Sequence, residues 1–175
     1  GIGVAKCVWL LIHRASLFRK TQMSSYSGGI MTTTRFFVYG SFCEGMIHFS
    51  KIQNYVQSFC GAQIKASAYR LKVGYPVVLK EGQDWIEGQI VEMKKSDILL
   101  AMMDEFFGYN SQDPEAGLHV RRLVDVYDHD RMTSQPAWVY FLNPHKMPVQ
   151  ALKIEDGDWK KSLQEYPPLT SQLTD

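Results

Sequence analysis

The amino-acid sequence predicts an α+β fold in which a mixed sheet curls around a helix. Three observations support this prediction. Most of the chain consists of short β-rich runs divided by glycines, and one run among them has apolar residues at the 3.6-residue spacing of an amphipathic helix. The 175 residues, 45% of them hydrophobic, can also bury one sizeable core. We therefore expect about one folded domain.

The first predicted strand runs into a glycine-serine turn. Residues 35–39 form a short β-rich run, and Gly40 and Ser41 follow it directly. Beyond the turn, residues 46–56 carry apolar side chains at helical spacing, which predicts a first helix. Those apolar side chains are Phe49, Ile52, Tyr55 and Val56.

Three β-rich runs follow this helix. They cover residues 63–71, 76–80 and 86–93. The breakers in this region are Gly74, Gly82 and Gly88. Because glycine interrupts strands, we predict three separate strands here.

A second helix is predicted after these strands. Ser96 or Asp97 can cap its first turn, and Gly108 is well placed to end it. One face of the helix is apolar and consists of Ile98, Leu99, Met102, Met103 and Phe106. This face is expected to pack against the sheet.

The remaining elements complete the predicted domain. Strands at residues 119–127 and 137–142 precede a polar helix near residues 156–164. We expect the folded domain to comprise residues 31–165 and a short C-terminal tail to comprise residues 166–175.

The first part of the chain has a different composition. No Asp or Glu precedes Glu44, and the apolar run at residues 7–12 is too short to span a bilayer. We therefore predict that residues 1–30 are a flexible N-terminal extension outside the fold. No membrane partner is expected, and we predict a cytoplasmic protein.

Charge and cysteine content argue against several other partners. Nineteen Lys and Arg residues against eighteen Asp and Glu residues give a net charge of +1, without the basic excess that nucleic-acid binding needs. The three cysteines have neither CxxC nor metal-ligand spacing. We predict free thiols, no metal and no cofactor, and we leave the oligomeric state open.

The turn after the first strand is a candidate anion site. Gly40 can adopt a backbone conformation that other residues avoid, which lets the N–H groups of Ser41 and Phe42 point into one concavity. Such backbone nests hold carboxylates. A plain turn would also explain a Gly-Ser pair after a strand, so these residues alone leave both interpretations open.

Five motifs in this sequence resemble the γ-glutamylcyclotransferase-like family. They are "FFVYGSFCEG", "GQIVEM", "MMDEFFGY", "HVRRLVDV" and "AWVYF", in that order, within residues 35 to about 165. The resemblance, to the γ-glutamylamine cyclotransferase or avirulence-induced-gene-like branch, implies a small mixed β-barrel with a central helix. Active members of the family release 5-oxoproline from γ-glutamyl compounds. The residues that would hold the glutamyl end of a substrate here are Tyr39, Gly40, Ser41 and Phe42.

The sequence departs from the family at the end of the second predicted helix. The family pattern there is close to Leu-Asp-x-x-Glu-Gly, and its glutamate is the general base. The matching residue here is Phe107, whose ring cannot accept a proton. Glu105 is the nearest carboxylate and is our candidate catalytic base. Because two positions along a helix turn a side chain by about 200°, Glu105 can serve only if the helix ends before it.

Other polar residues near these motifs have structural and functional interpretations. His119 stands where the family often has the tyrosine of a Tyr-x-Arg pattern, and Arg121 matches the arginine. A histidine with its ordinary pKa near ~6.5 can act as a base. Glu44 is interpreted as a surface charge, and Arg121 and Arg122 as partners of carboxylates. Three aromatic residues are predicted to be structural: Trp138, Tyr140 and Trp159.

Two functions of different class therefore stand. The first is a γ-glutamyl cyclotransferase, or a relative acting on another small γ-glutamyl compound, with a displaced base. The second is a catalytically inactive protein that binds a small acidic or γ-glutamyl ligand, or another partner, on the same scaffold. Phe107 favours the second function. A carboxylate within hydrogen-bond reach of the Gly-Ser turn would favour the first.

Overall fold

The computed structural model describes residues 33–165 of the chain. The predictions for residues 1–30 and 166–175 lie outside the described residues. The strands are β1 (Thr33–Val38), β2 (Val56–Arg70), β3 (Pro76–Lys94), β4 (His119–Asp128), β5 (Thr133–Leu142) and β6 (Leu152–Ile154). The α-helices are α1 (Asp97–Phe107) and α2 (Trp159–Glu165). Within residues 33–165, neither helix has the length and apolar character that crossing a membrane requires.

The sheet closes on itself through five of these strands. Their order is β3-β1-β5-β4-β2, β2 pairs back with β3, and β6 pairs with β2. β1 and β5 run parallel, and the other pairs are antiparallel. Two of the strand pairings in the ring are short. Phe36 and Trp138 form the one residue pair between β1 and β5, and two residue pairs join β2 to β4. This mixed sheet with its helices confirms the predicted α+β fold, as a closed ring of strands.

Strand β3 is one long strand where the sequence predicted two, at residues 76–80 and 86–93. Gly82 does not end the strand, and the register between β2 and β3 shifts instead between Ala66 and Ser67. The φ angle of Gly82 is 141°, and a Cβ atom there would lie 2.5 Å from the carbonyl oxygen of Ala66. The glycine therefore accommodates an irregularity inside a continuing strand.

The prediction of an α-helix at residues 46–56 is wrong. This segment forms two short 3₁₀ turns, Phe49–Lys51 and Gln53–Tyr55. Its N–H groups bond to carbonyl oxygens three residues back, as in the 3.0 Å bond from Ile52 to Phe49. Three of the apolar side chains that suggested an α-helix, Phe49, Ile52 and Tyr55, recur every three residues, which is the period of a 3₁₀ helix. That period turns the fully buried Ile52 into the core.

Helix α1 begins and ends where the sequence predicted. The Ser96 hydroxyl oxygen accepts a 3.3 Å hydrogen bond from the N–H of Leu99, which is an N-cap. Gly108 has a φ angle of 64°, and its N–H donates to the carbonyl of Glu105 at 3.1 Å, as expected of a glycine that ends a helix. Leu99 and Met103 of the predicted apolar face are buried in the core, whereas Ile98 and Phe106 are exposed, so that face is only partly buried.

The core lies between the ring of strands and the two helices. Its fully buried side chains include Phe36, Phe37, Ile64, Ile86, Val91, Met103 and Trp159. The indole N–H of Trp159 donates to the carbonyl of Glu87 at 2.6 Å. Helix α2 is therefore attached to β3 through Trp159, which confirms the predicted structural role of that residue.

Candidate functional site

The chain leaves β1 through a 3₁₀ turn at Gly40–Phe42. Gly40 has a φ angle of 61°, and a Cβ atom there would lie 3.1 Å from Cγ of Pro76. The N–H of Cys43 donates to the carbonyl of Gly40 at 3.2 Å and closes the turn. A glycine is needed here because a side chain would be strained by the backbone and would meet the proline ring.

A cavity of about 340 Å³ lies beside this turn. The four residues predicted to hold a substrate all line it: Tyr39, Gly40, Ser41 and Phe42. The other lining residues are His48, Leu71, Tyr75, Pro76, Val77, Phe106, Phe107 and His119. Among the described residues that line the cavity there is no Asp or Glu. The turn and the end of α1 thus share one cavity, and the binding role of the turn stays a prediction.

Tyr39 fixes the start of the turn against β5. Its hydroxyl donates to the carbonyl of Tyr140 at 3.0 Å. Burial raises the pKa of Tyr39 well above its ordinary value. The phenol therefore stays protonated across the physiological range and serves as a hydrogen-bond donor.

Phe107 is the centre of an aromatic cluster on the helix side of the cavity. Its ring stacks on that of Tyr140, with centroids 4.2 Å apart and an interplanar angle of 8°. The ring of Phe42 lies 5.3 Å from Phe107 and 4.8 Å from Phe106. The position that the resemblance assigns to a base is therefore filled by a ring that packs against two other aromatic rings.

A charged network lies behind this cluster. Arg121 donates from Nη1 to both carboxylate oxygens of Asp104, at 2.8 and 3.0 Å. The Tyr140 hydroxyl donates to Asp104 at 2.6 Å, and burial, followed by the Asp104 carboxylate, raises the pKa of Tyr140. The Arg121 guanidinium also contacts the rings of Tyr109 and Trp138, at 4.9 and 5.2 Å. Since its charge is paired and its oxygens are engaged, Asp104 is a structural group rather than a free base.

Glu105 lies outside the cavity. Helix α1 continues through Phe107, so Glu105 has the helical rotation that points it away from the direction of Phe107. The residue is exposed, and it is not among those that line the cavity. The catalytic role predicted for Glu105 is untested, and this placement gives it no support.

His119 is buried against the end of α1. Its Nδ1 lies 2.8 Å from the backbone carbonyl oxygen of Phe107. Because a carbonyl can only accept, Nδ1 carries the hydrogen and Nε2 holds the lone pair. Burial lowers the pKa of His119, against the opposing effect of its bond to Phe107. The imidazole is therefore neutral near pH 7 and is the form that accepts a proton.

His48 was not among the residues selected from the sequence. Its Nδ1 lies 2.6 Å from Oγ of Ser41, and both residues line the cavity. Sequence reasoning missed His48 because the segment was assigned to an α-helix, in which the side chain's direction differs. The backbone N–H of His48 donates to the carbonyl of Ser41 at 2.8 Å, so the chain has returned to the Gly40–Phe42 turn before the first of the 3₁₀ turns begins.

The two remaining polar candidates lie away from the cavity. Glu44 is exposed, and its backbone N–H donates to the Gln89 side chain at 2.8 Å. Arg122 lies 3.9 Å from the carboxylate of Glu115, with both side chains largely exposed. Neither lines the cavity. Across residues 33–165, no group of three or more His, Cys, Asp and Glu side chains is arranged to hold a metal ion.

Comparison with known protein families gives one match over most of this chain. The family described as "Gamma-glutamyl cyclotransferase, AIG2-like" matches residues 36–161. The match contains both the turn after β1 and the end of α1. No curated protein matches the sequence.

Several solved structures have a similar fold. YkqA from Bacillus subtilis has a TM-score of 0.56 and 21% identity over 76% of this chain, which spans 42% of the length of YkqA. At5g39720.1 from Arabidopsis thaliana has a TM-score of 0.56 and 18% identity, over 80% of this chain and 89% of the other. An AIG2-like protein from Mus musculus has a TM-score of 0.50 and 15% identity, over 67% and 81%. At these identities the likeness shows the fold alone.

Proposed function

Because this chain belongs to the gamma-glutamyl cyclotransferase, AIG2-like family, we propose that its cavity binds a small γ-glutamyl compound or another small acidic metabolite. Two features support this proposal. The cavity of about 340 Å³ has room for a ligand of amino-acid or dipeptide size. The Gly40–Phe42 turn lies at its edge, and the resemblance implies that this turn holds the glutamyl end of a substrate.

The acidic end of the ligand is held by the turn. The backbone N–H groups of Ser41 and Phe42 are the donors that we assign to a carboxylate, in the manner of a backbone nest. The aromatic rings of Phe42 and Phe107 then contact the apolar methylene groups of the ligand.

Turnover of ordinary γ-glutamyl dipeptides is expected to be very weak. Cyclisation requires the α-ammonium of the substrate to lose a proton before the amine attacks the γ-carbonyl, so a base has to be positioned beside it. The observation that carries this inference is Phe107, stacked on Tyr140 where a glutamate would be needed. Loss of a positioned base costs roughly 10²- to 10⁴-fold in rate.

A second candidate function is cyclotransferase activity with a different base. The observation that favours it is His119, whose Nδ1–H is held by the Phe107 carbonyl at 2.8 Å. His119 lines the cavity, and its Nε2 atom holds the lone pair. A neutral imidazole there could accept the proton that a glutamate would otherwise take.

The test is 5-oxoproline release from a panel of γ-glutamyl dipeptides and γ-glutamylamines, with ligand binding measured by calorimetry. We expect the native chain to bind members of the panel and to release little product. Phe107→Glu should raise release by about 10²-fold or more. Phe106→Glu is the matched control, because it places the same charge on the neighbouring lining residue, and it should not raise release.

Three results would redirect the proposal. Robust native release that is abolished by Glu105→Gln would make Glu105 the base. Robust release that is abolished by His119→Gln, with Glu105→Gln unaffected, would establish the second candidate function. Absence of binding to every panel member and to glutamate itself would overturn the proposed ligand class.

A further inference from the structure

Ser41 and His48 are joined by two hydrogen bonds at the edge of the cavity. The side chains meet at 2.6 Å between Oγ of Ser41 and Nδ1 of His48. The backbone N–H of His48 also donates to the carbonyl of Ser41 at 2.8 Å. Because side chain and backbone are both engaged, the two residues hold one relative geometry.

The imidazole ring of His48 also packs against two aromatic rings. Its centroid lies 5.6 Å from that of Phe42 and 4.8 Å from that of Phe106, the latter edge to face. Burial, and then the nearby charge of Lys51, lower the pKa of His48. The ring is therefore neutral near pH 7, as a proton acceptor must be.

Ser41 has a placement suited to a nucleophile. It directly follows Gly40, whose φ angle of 61° turns the chain sharply at the end of a buried strand. It is partly exposed and lines the cavity together with His48. A serine hydroxyl is a weak nucleophile alone, and a base within hydrogen-bond reach activates it.

We propose that Ser41 and His48 form a nucleophile–base pair that hydrolyses small carboxylic esters bearing an aromatic or aliphatic group. The ester class follows from the cavity, whose lining includes the rings of Tyr75, Phe106 and Phe107 and no described carboxylate. This activity is distinct from the proposed γ-glutamyl binding and does not rest on it.

The reaction proceeds in two steps. Oγ of Ser41 forms a bond to the ester carbonyl carbon while its proton moves to Nδ1 of His48. The tetrahedral intermediate then breaks its bond to the alcohol oxygen, and the alcohol leaves with the proton from His48. Water repeats the attack on the acyl-serine, gives a proton to His48, and the proton returns to Oγ as the acid departs. The net change is ester plus water to acid plus alcohol.

The rate of hydrolysis by Ser41 and His48 depends on whether another group orients His48. In the described part of the chain, no carboxylate is within hydrogen-bond or ion-pair distance of His48. Altering the orienting carboxylate of a Ser-His-Asp triad costs roughly 10⁴-fold in turnover. We therefore expect slow turnover, and covalent labelling of Ser41 is the more sensitive observation.

The experiment treats the full chain with a fluorophosphonate probe and follows the modification by intact-mass and peptide mass spectrometry. We expect one label, on Ser41, and none on Ser41→Ala. His48→Gln should label at least about 10²-fold more slowly, since the base is lost. Ser50→Ala is the matched control, because Ser50 is an exposed serine two residues beyond His48, and its labelling should equal that of the native chain.

The outcomes separate the pair from an ordinary surface serine. Labelling at another residue, or equal labelling of the native chain and Ser41→Ala, would overturn the proposal. Labelling of Ser41 that is unchanged in His48→Gln would also overturn it, because the pair would then have no catalytic link. Melting temperatures of the variants within a few degrees of the native chain exclude loss of fold as the cause. Binding of γ-glutamyl ligands by the native chain is measured separately and bears only on the proposed function.

Discussion

The two sides of the cavity are built in different ways. On the turn side, Gly40–Phe42 is determined by backbone geometry, through a positive φ angle and a carbonyl that accepts from Cys43. On the helix side, Phe107 is held by side chains, through its stack on Tyr140 and the network that Tyr140 shares with Asp104. The resemblance assigns ligand binding to the turn side and a base to the helix side, where this chain has Phe107. The two sides of the cavity are therefore held by different interactions, backbone conformation on one side and side-chain packing on the other.

The two sides of the cavity should be sensitive to different mutations. The turn side depends on the absence of a side chain at Gly40. The helix side depends on a charge network that lies behind the ring rather than on the ring alone. Substitutions on the two sides should therefore differ in how much stability they remove and in whether they also weaken ligand binding.

The largest effect is expected on the helix side, from Asp104→Ala. This change removes the carboxylate that accepts from Arg121 and Tyr140, and leaves the guanidinium, whose side chain is 14% exposed, without its partner. Breaking such a pair by removing one member costs about 3 kcal/mol. The measurement is the free energy of unfolding from urea denaturation.

The matched control is Asp97→Ala, in the first turn of the same helix. Asp97 is exposed, and its interaction with the helix dipole is worth roughly 0.3–1 kcal/mol. If Asp104→Ala costs no more than Asp97→Ala, the network does not hold the helix side, and the contrast between the two sides fails.

A smaller loss of stability is expected on the turn side, from Gly40→Ala. The backbone strain of a non-glycine residue at positive φ costs on the order of 1–3 kcal/mol, and the new Cβ atom would also meet Pro76 at 3.1 Å. Thermal unfolding and calorimetric binding of γ-glutamyl ligands measure the two consequences. We expect binding to fall more steeply than stability, because the turn itself is displaced.

Gly45→Ala separates the effect of backbone strain from the effect of the contact with Pro76. Gly45 has a φ angle of 80°, and a Cβ atom there would have no neighbour within 4 Å. It should therefore lose stability by strain alone, and ligand binding should be retained. Equal loss of binding in both variants would contradict a specific role for the turn at Gly40.

The sequence was informative where a local rule decides the structure. A cap at Ser96 or Asp97, the Gly108 stop and the turn at Gly40 depend on a few neighbouring residues, and each was predicted. The helix expected at residues 46–56 failed because periods of 3 and 3.6 are indistinguishable over two turns. The prediction that Gly82 ends a strand failed because the effect of this glycine depends on Ala66, which is distant in sequence.

The site was harder to predict for the same reason. The resemblance identified Phe107 as a departure, but its stack on Tyr140 joins residues 33 positions apart and follows only from the fold. His48 was missed because its contact with Ser41 depends on the turn between the two residues, in which the N–H of His48 donates to the carbonyl of Ser41. Short-range motifs thus predicted the turn side, and long-range packing determined the helix side.

The smallest effect concerns pH, at the place where the helix side meets β4. Burial lowers the pKa of His119 below that of the unfolded chain, so the folded protein binds fewer protons than the unfolded protein as pH falls below about 6.5. Stability contributed by neutral His119 is therefore fully present above about pH 6.5 and is lost progressively as pH falls from there through the lower pKa of the folded state. The limiting slope for one proton is about 1.4 kcal/mol per pH unit.

His119→Asn tests this prediction, because asparagine can donate to the Phe107 carbonyl but does not titrate. The free energy of unfolding, measured between pH 7.5 and 5, should fall less steeply in this variant than in the native chain. His48 titrates in the same direction, since its pKa is also lowered, so His48→Gln provides the comparison that keeps the His119 contribution. If the slopes are identical in the native chain and His119→Asn, protonation of His119 does not lower the free energy of unfolding. The end of α1 would then be packed less tightly than the hydrogen bond between His119 and Phe107 implies.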